Sequence, residues 1–179
     1  MTPDKTRVLF VCTGNICRSP TAHGILQHRV REAGLDDRIV VDSAGTHGYH
    51  VGEPPDARSI AAAARRGYDL ASLRARRFVR HDFERFDLVL VADEGHREHL
   101  ARLVKPSQGH KLRKILDYSS RYRGMDVPDP YYGGTEGFGR VLDMLEDAAD
   151  GLLECLKAGR LTPDDPSPGA ASPPAPGAR

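Results

Sequence analysis

Four consecutive apolar residues, Val8-Leu9-Phe10-Val11, run directly into Cys12-Thr13-Gly14-Asn15-Ile16-Cys17-Arg18-Ser19-Pro20, and no other stretch of the 179-residue chain limits its fold as tightly. The apolar run reads as a buried strand and the residues from Thr21 onward as a helix, with a loop of about seven residues between them. Ser19 is a good N-cap residue and Pro20 suits a first helical position. The helix is therefore predicted to begin there, its unpaired N–H groups and positive dipole end facing back over the loop. Such a helix start is an anion site.

Gly14 and Asn15 accept left-handed backbone angles, which a loop needs if its successive N–H groups are to surround one small tetrahedral anion. Arg18 adds a planar fork that takes two phosphate oxygens at once. A phosphate held there would rest against the sulfur of Cys12. The amides, the arginine and the helix dipole are expected to favour the thiolate, and the Ser19 hydroxyl can donate a proton to it. A cysteine closing a strand is otherwise a small buried hydrophobe, and Cys-x5-Arg alone arises by chance; the joint pattern argues for the chemistry. The loop is not a Walker A motif, because no Gly-Lys-Ser/Thr follows, and not a dinucleotide fingerprint, because Gly14 stands alone.

The segment 12–20 resembles the signature loop of the low-molecular-weight protein tyrosine phosphatases of bacteria. The resemblance continues through Asp42-Ser43-Ala44-Gly45-Thr46, Phe86-Asp87-Leu88-Val89-Leu90 and Asp129-Pro130-Tyr131-Tyr132, and so covers residues 6–157. It implies hydrolysis of phosphotyrosine through a phosphocysteine intermediate with no metal and no cofactor. Cys12 would be the nucleophile, with Arg18, Thr13, Gly14, Asn15, Ile16, Cys17 and Ser19 around the phosphate.

A thiolate displaces an ester oxygen well only when that oxygen receives a proton, so an acid is needed. Asp129, between Pro128 and Pro130, matches the family's acid; read alone it is a turn aspartate, and Asp126 is the substitute. Tyr49, Tyr131 and Tyr132 could wall a slot for a phenyl ring, or be surface aromatics. Ser43 and Asn15 match family positions that brace the loop. The resemblance also implies a reversible disulfide between Cys12 and Cys17, while Cys155 reads as core.

The implied partners are phosphotyrosine-containing proteins, a bacterial tyrosine kinase and its targets among them, with inorganic phosphate as product and a monomer or weak dimer as assembly. Within the same fold, arsenate reductase is a competing reading, weakened because after Cys17 only Cys155 remains for redox steps. Phosphoarginine phosphatases tend to carry Thr where Ile16 stands. A non-enzymatic module that binds phosphotyrosine or carries phosphate on cysteine would not need both Arg18 and Asp129.

Composition narrows the rest. Lys and Arg number 26 against 25 Asp and Glu, so whole-chain charge implies no nucleic-acid or membrane partner; Arg74, Arg76, Arg77 and Arg80 form a local basic cluster that reads as a solvated face. Three cysteines without an apolar signal segment suggest a reducing, cytoplasmic setting.

Strands at 8–11, 39–41, 88–91 and 111–116 alternate with helices at 20–33, 54–66, 94–104 and 135–157. The chain is therefore predicted to be an α/β protein, a single three-layer domain with a four-stranded parallel twisted sheet flanked by helices. The resemblance implies the flavodoxin-like, phosphotyrosine phosphatase I-like arrangement. Residues 43–53 read as a loop at the carboxyl edge of the sheet and 117–134 as a long ordered loop of the kind that is often functional, and the second helix is predicted to turn Ile60, Ala61 and Ala64 inward. The domain is predicted to span 1–158. Residues 159–179 read as a disordered tail, since six of thirteen prolines fall after residue 160.

Overall fold

The computed structural model describes residues 4–131 and 133–165. Its one sheet holds β1 (Thr6–Cys12), β2 (Ile39–Gly45), β3 (Leu88–Val91) and β4 (Leu112–Lys114), all parallel, in the order β2-β1-β3-β4. The helices are α1 (Arg18–Glu32), α2 (Ala57–Ala64), α3 (Asp82–Arg85), α4 (Glu94–Ala101) and α5 (Thr135–Lys157).

The unbroken apolar runs of β1 and β3 have a simple cause: both strands are covered on both faces. Val8, Phe10 and Cys12 point into a core shared with Ile25 and Leu26 of α1, Ala63 of α2 and Leu142 and Leu145 of α5. Leu9 and Val11 point into the opposite core, with Val89, Val91, Phe78, Phe83 and Leu100. Cys12 is the last residue of a central strand, so the loop after it opens at the carboxyl edge of the sheet, where open α/β folds bind their ligands.

The predicted stripe of α5 is the observed one, and the helix has the predicted limits. Phe138, Val141, Leu142, Leu145, Ala149 and Leu152 are buried and Leu156 half-buried. Cys155 is core, as expected. Gly151 has a packing reason: a Cβ there would lie 1.9 Å from the carbonyl oxygen of Tyr118.

Several predicted boundaries shift. β2 runs to Gly45 instead of ending at 41, because Asp42, Ser43 and Ala44 pair with Leu9, Phe10 and Val11 of β1 despite their loop-like composition. The inward face of α2 is Ser59 and Ala63 with Ile60 and Ala62 half-buried, so Ala61 and Ala64 are on the solvent side. β4 is three residues long and gives way to a 3-10 turn at Ile115–Tyr118. α4 ends at Ala101, with Leu100 buried and Leu103 half-buried beyond its end.

The predicted tail starts at 159, yet its first residues pack on the domain. The Tyr118 hydroxyl donates to the carbonyl of Leu161, Thr162 is buried, and the Asp165 carboxylate accepts from the N–H groups of both. Residues 166–179 lie outside the described residues. Among the described residues no helix is long and apolar enough to cross a membrane.

Candidate active site

The loop from Cys12 to Arg18 is held from outside by its carbonyl groups. Thr46 N–H donates to the Cys12 carbonyl at 2.8 Å, His47 N–H to Thr13 at 3.0 Å and Asp56 N–H to Ile16 at 2.8 Å. By contrast, the N–H groups of residues 13–17 donate to no acceptor among the described residues. Asn15 takes the left-handed conformation, with φ 57°. Gly14 does not; a Cβ there would sit 2.9 Å from the His50 ring, which would have to shift. Gly45 is likewise constrained, because a Cβ would lie 2.7 Å from the Thr13 carbonyl oxygen.

Ser19 is not the N-cap. The helix starts two residues earlier than predicted, at Arg18, with Cys17 as cap residue and no side-chain capping bond. The hydroxyl of Ser19 has other partners: it lies 3.0 Å from the sulfur of Cys12, accepts from Asn15 Nδ2 at 2.8 Å, and is 3.3 Å from the Ala44 carbonyl. Asn15 in turn accepts from the N–H of Arg76 at 3.0 Å. Arg76 is therefore no part of a solvated basic face. It reaches Asp42 at 3.1 Å and grips the fully buried Asp82 at 3.1 and 3.2 Å. Ser43 lies on β2 with its Oγ 3.1 Å from His23 Nδ1 on α1, and among the described residues its side chain makes no hydrogen bond to the loop.

Arg18 is buried and aimed by two groups that sequence reasoning missed. Its Nη1 donates to Asp93 Oδ2 at 2.8 Å and to the Val127 carbonyl at 3.0 Å. Burial alone would raise the Asp93 carboxyl, but the N–H of His96 and the Arg18 guanidinium outweigh it and hold it below the usual carboxylate range. His96 Nε2 meets the Thr13 hydroxyl at 2.7 Å, while its Nδ1, 3.1 Å from Asp93 Oδ1, is not aligned for a hydrogen bond. Asp93 looked like an ordinary helix N-cap, which it also is. Its place at the carboxyl end of β3, one strand over from Cys12, is the signal that could have found it.

Above the loop is a cleft of about 210 Å³, lined by Cys12, Thr13, Gly14, Ile16, Cys17 and Arg18 below and by Tyr49, His50, Asp129 and Tyr131 around the mouth. Asp129 Oδ2 stands 3.6 Å from Arg18 Nη2, and its Oδ1 accepts from the N–H of Tyr131 at 3.0 Å. It is thus both a turn aspartate and a cleft residue. Asp126 points elsewhere, to the Glu94 N–H and Lys114 Nζ, each at 3.1 Å. Tyr49 is 72% exposed, stacked on His47 at 5.1 Å. Burial pushes the Cys17 thiol up to about 12, so it stays protonated at neutral pH. Of the predicted residues, Asn15, Ser19 and Ser43 do not line the cleft, and Tyr132 lies outside the described residues.

Burial holds His23 and His96 at about 4, below the ordinary histidine value of 6.5. As the pH falls through this interval the unfolded chain takes up protons that the folded chain refuses, so stability is full above the upper value and declines below it. For the well-buried His96 the expected loss by the bottom of the window is about 1–3 kcal/mol. Thermal melts at a series of pH values check this: His96→Asn should flatten the slope, and an unchanged slope would assign it to other groups.

Residues 7–161 match the family described as low molecular weight phosphotyrosine protein phosphatase. A putative low molecular weight protein-tyrosine-phosphatase of Synechocystis sp. is 47% identical over 151 residues, 84% of this chain and 96% of that one. A low molecular weight protein-tyrosine-phosphatase of Streptomyces coelicolor is 46% identical over 154 residues, 84% and 93% of the two chains. Among solved structures, a protein tyrosine phosphatase of Entamoeba histolytica superposes with a TM-score of 0.83 at 37% identity, covering 87% of this chain and 99% of its own. With a family match over most of its length, relatives this similar and one shared fold, this chain belongs to the low molecular weight phosphotyrosine protein phosphatase family.

Proposed function

We propose that this protein-tyrosine phosphatase hydrolyses phosphotyrosine in protein segments by two displacements at phosphorus, with Cys12 as nucleophile and Asp129 as proton donor and acceptor. The observation that carries the reading is the buried Cys12 in the lining of the cleft, with loop N–H groups that have no acceptor among the described residues and with Arg18 and Asp129 lining the same space.

In the first step the thiolate attacks phosphorus and the S–P bond forms as the P–O ester bond breaks. The departing phenolic oxygen takes the proton of Asp129. In the second, water attacks the phosphocysteine and gives its proton to the Asp129 carboxylate. The S–P bond breaks, and inorganic phosphate leaves with the thiolate restored. Thr13, Gly14, Asn15, Ile16, Cys17 and Ser19 supply the loop around the phosphate. Their N–H groups and the Arg18 fork meet charge that builds on the equatorial oxygens. The Ser19 hydroxyl is within reach of the sulfur in both steps.

Tyr49 and Tyr131 frame the mouth, and Tyr132 is assigned beside them from the resemblance; a slot of this kind favours a phenyl ring over the shorter arm of phosphoserine. The substrates are then phosphotyrosine-bearing proteins, a tyrosine kinase and its targets among them, met in a reducing cytoplasm by a monomer or weak dimer.

Rates on phosphotyrosine, phosphoserine and phosphoarginine peptides of one sequence test the specificity. The phosphotyrosine peptide should lead in kcat/KM by about 100-fold, and parity with either competitor would contradict the reading. Asp129→Asn should lower kcat/KM on the phosphotyrosine peptide by about 10²–10⁴-fold. A loss under tenfold would remove Asp129 from the role.

A further inference from the structure

The phosphate loop and the loop bearing Asp129 are far apart in sequence, and one surface pair touches both. Asp56 is the N-cap of α2, and its N–H donates to the Ile16 carbonyl at 2.8 Å, so the start of α2 is fastened to the phosphate loop. The Asp56 carboxylate holds Arg58 with both oxygens, at 3.1 Å to Nε and 3.0 Å to Nη2. From that fork Arg58 Nη2 donates to the carbonyl of Tyr131 at 3.0 Å, and Nη1 to that of Gly133 at 3.5 Å. Its guanidinium carbon sits 4.8 Å from the centre of the Phe138 ring, which fixes the plane of the fork.

The contact matters because of where Tyr131 stands. Its N–H holds the Asp129 carboxylate at 3.0 Å, and its carbonyl is held by Arg58. On its other oxygen, Asp129 Oδ2 stands 3.6 Å from Arg18 Nη2. We infer that Arg58 is a positioning residue for the proton donor: the Asp56–Arg58 pair sets the height of Asp129 above Cys12 by joining the acid loop to the phosphate loop through α2.

The inference rests on the assignment of Asp129 as proton donor. A partly exposed ion pair contributes modestly to stability, whereas a small displacement of a reacting group costs a large factor in rate. The two roles therefore separate by measurement.

The test is kcat/KM for a series of aryl phosphates, from an acidic dinitrophenol leaving group to a phosphotyrosine peptide. The variants are Arg58→Met, which keeps an apolar stem over Phe138, and Arg58→Lys, which keeps the charge and serves if the first folds poorly. Arg58→Met is expected to lose about tenfold on the phosphotyrosine peptide and under about twofold on the dinitrophenyl ester, with the melting temperature within a few degrees of the parent. Arg58→Lys should recover part of the loss. Asp129→Asn should show the same leaving-group dependence, larger, and adding Arg58→Met to it should cost little more. A uniform loss across the series, or full additivity with Asp129→Asn, would overturn the positioning role and leave Asp129 in place. If Asp129→Asn itself is indifferent to the leaving group, the assignment of the donor falls and this inference falls with it.

Discussion

Cys12→Ser should abolish turnover of an aryl phosphate, lowering kcat by about 10⁴-fold or more, while inorganic phosphate still binds. The substitution replaces the sulfur, 3.0 Å from Ser19 Oγ, by another hydrogen-bonding atom and leaves the loop carbonyls tied to Thr46, His47 and Asp56. A serine hydroxyl is a far weaker nucleophile at neutral pH, so binding and chemistry should part. Initial rates with p-nitrophenyl phosphate, alongside calorimetry of phosphate binding, make the comparison. Activity within tenfold of the parent would exclude Cys12 as the nucleophile.

The second large effect is expected at Arg18. Arg18→Lys keeps a positive charge near Asp93 but cannot donate through a planar fork to two phosphate oxygens while also holding Asp93 Oδ2 and the Val127 carbonyl. Losing a preorganised donor to a developing oxyanion costs about 10²–10³-fold, and kcat/KM should fall by that factor. Inhibition by inorganic phosphate should weaken in parallel. A lysine variant within threefold of the parent would mean that charge alone suffices and the fork has no special part.

Both experiments address residues legible in the sequence, and the reason is local. Val8 to Val11 is apolar on both faces because β1 lies between two strands and two cores, and a loop closing such a strand must open at the sheet edge. The 23-residue stripe of α5 was equally plain, since one helix covers one face of the sheet with a regular period. Ser19 misled because its preference for helix starts is a statistical one. Here its oxygen is engaged by Asn15 and lies beside Cys12, and the helix begins without it. Asp42 and Ser43 look like loop residues, yet pairing with β1 overrides that composition and carries β2 on to Gly45.

What stayed hidden are the residues that aim others. Asp93, His96 and Arg76 reach the loop from 75, 83 and 61 positions away, and nothing in their own neighbourhoods separates them from a helix cap, a helix face and a basic run. Their roles are set by tertiary proximity at one sheet edge, which only the topology supplies.

Phosphate is expected to pass through the sulfur of Cys12. Enzyme denatured during turnover of a phosphotyrosine peptide, then digested and mapped by mass spectrometry under conditions that preserve phosphothioesters, reads this directly. One phosphate on the peptide that contains Cys12, bonded to sulfur and lost in step with substrate exhaustion, is the expected result. Sustained turnover with no phosphate on Cys12, or with phosphate on another residue instead, would contradict it.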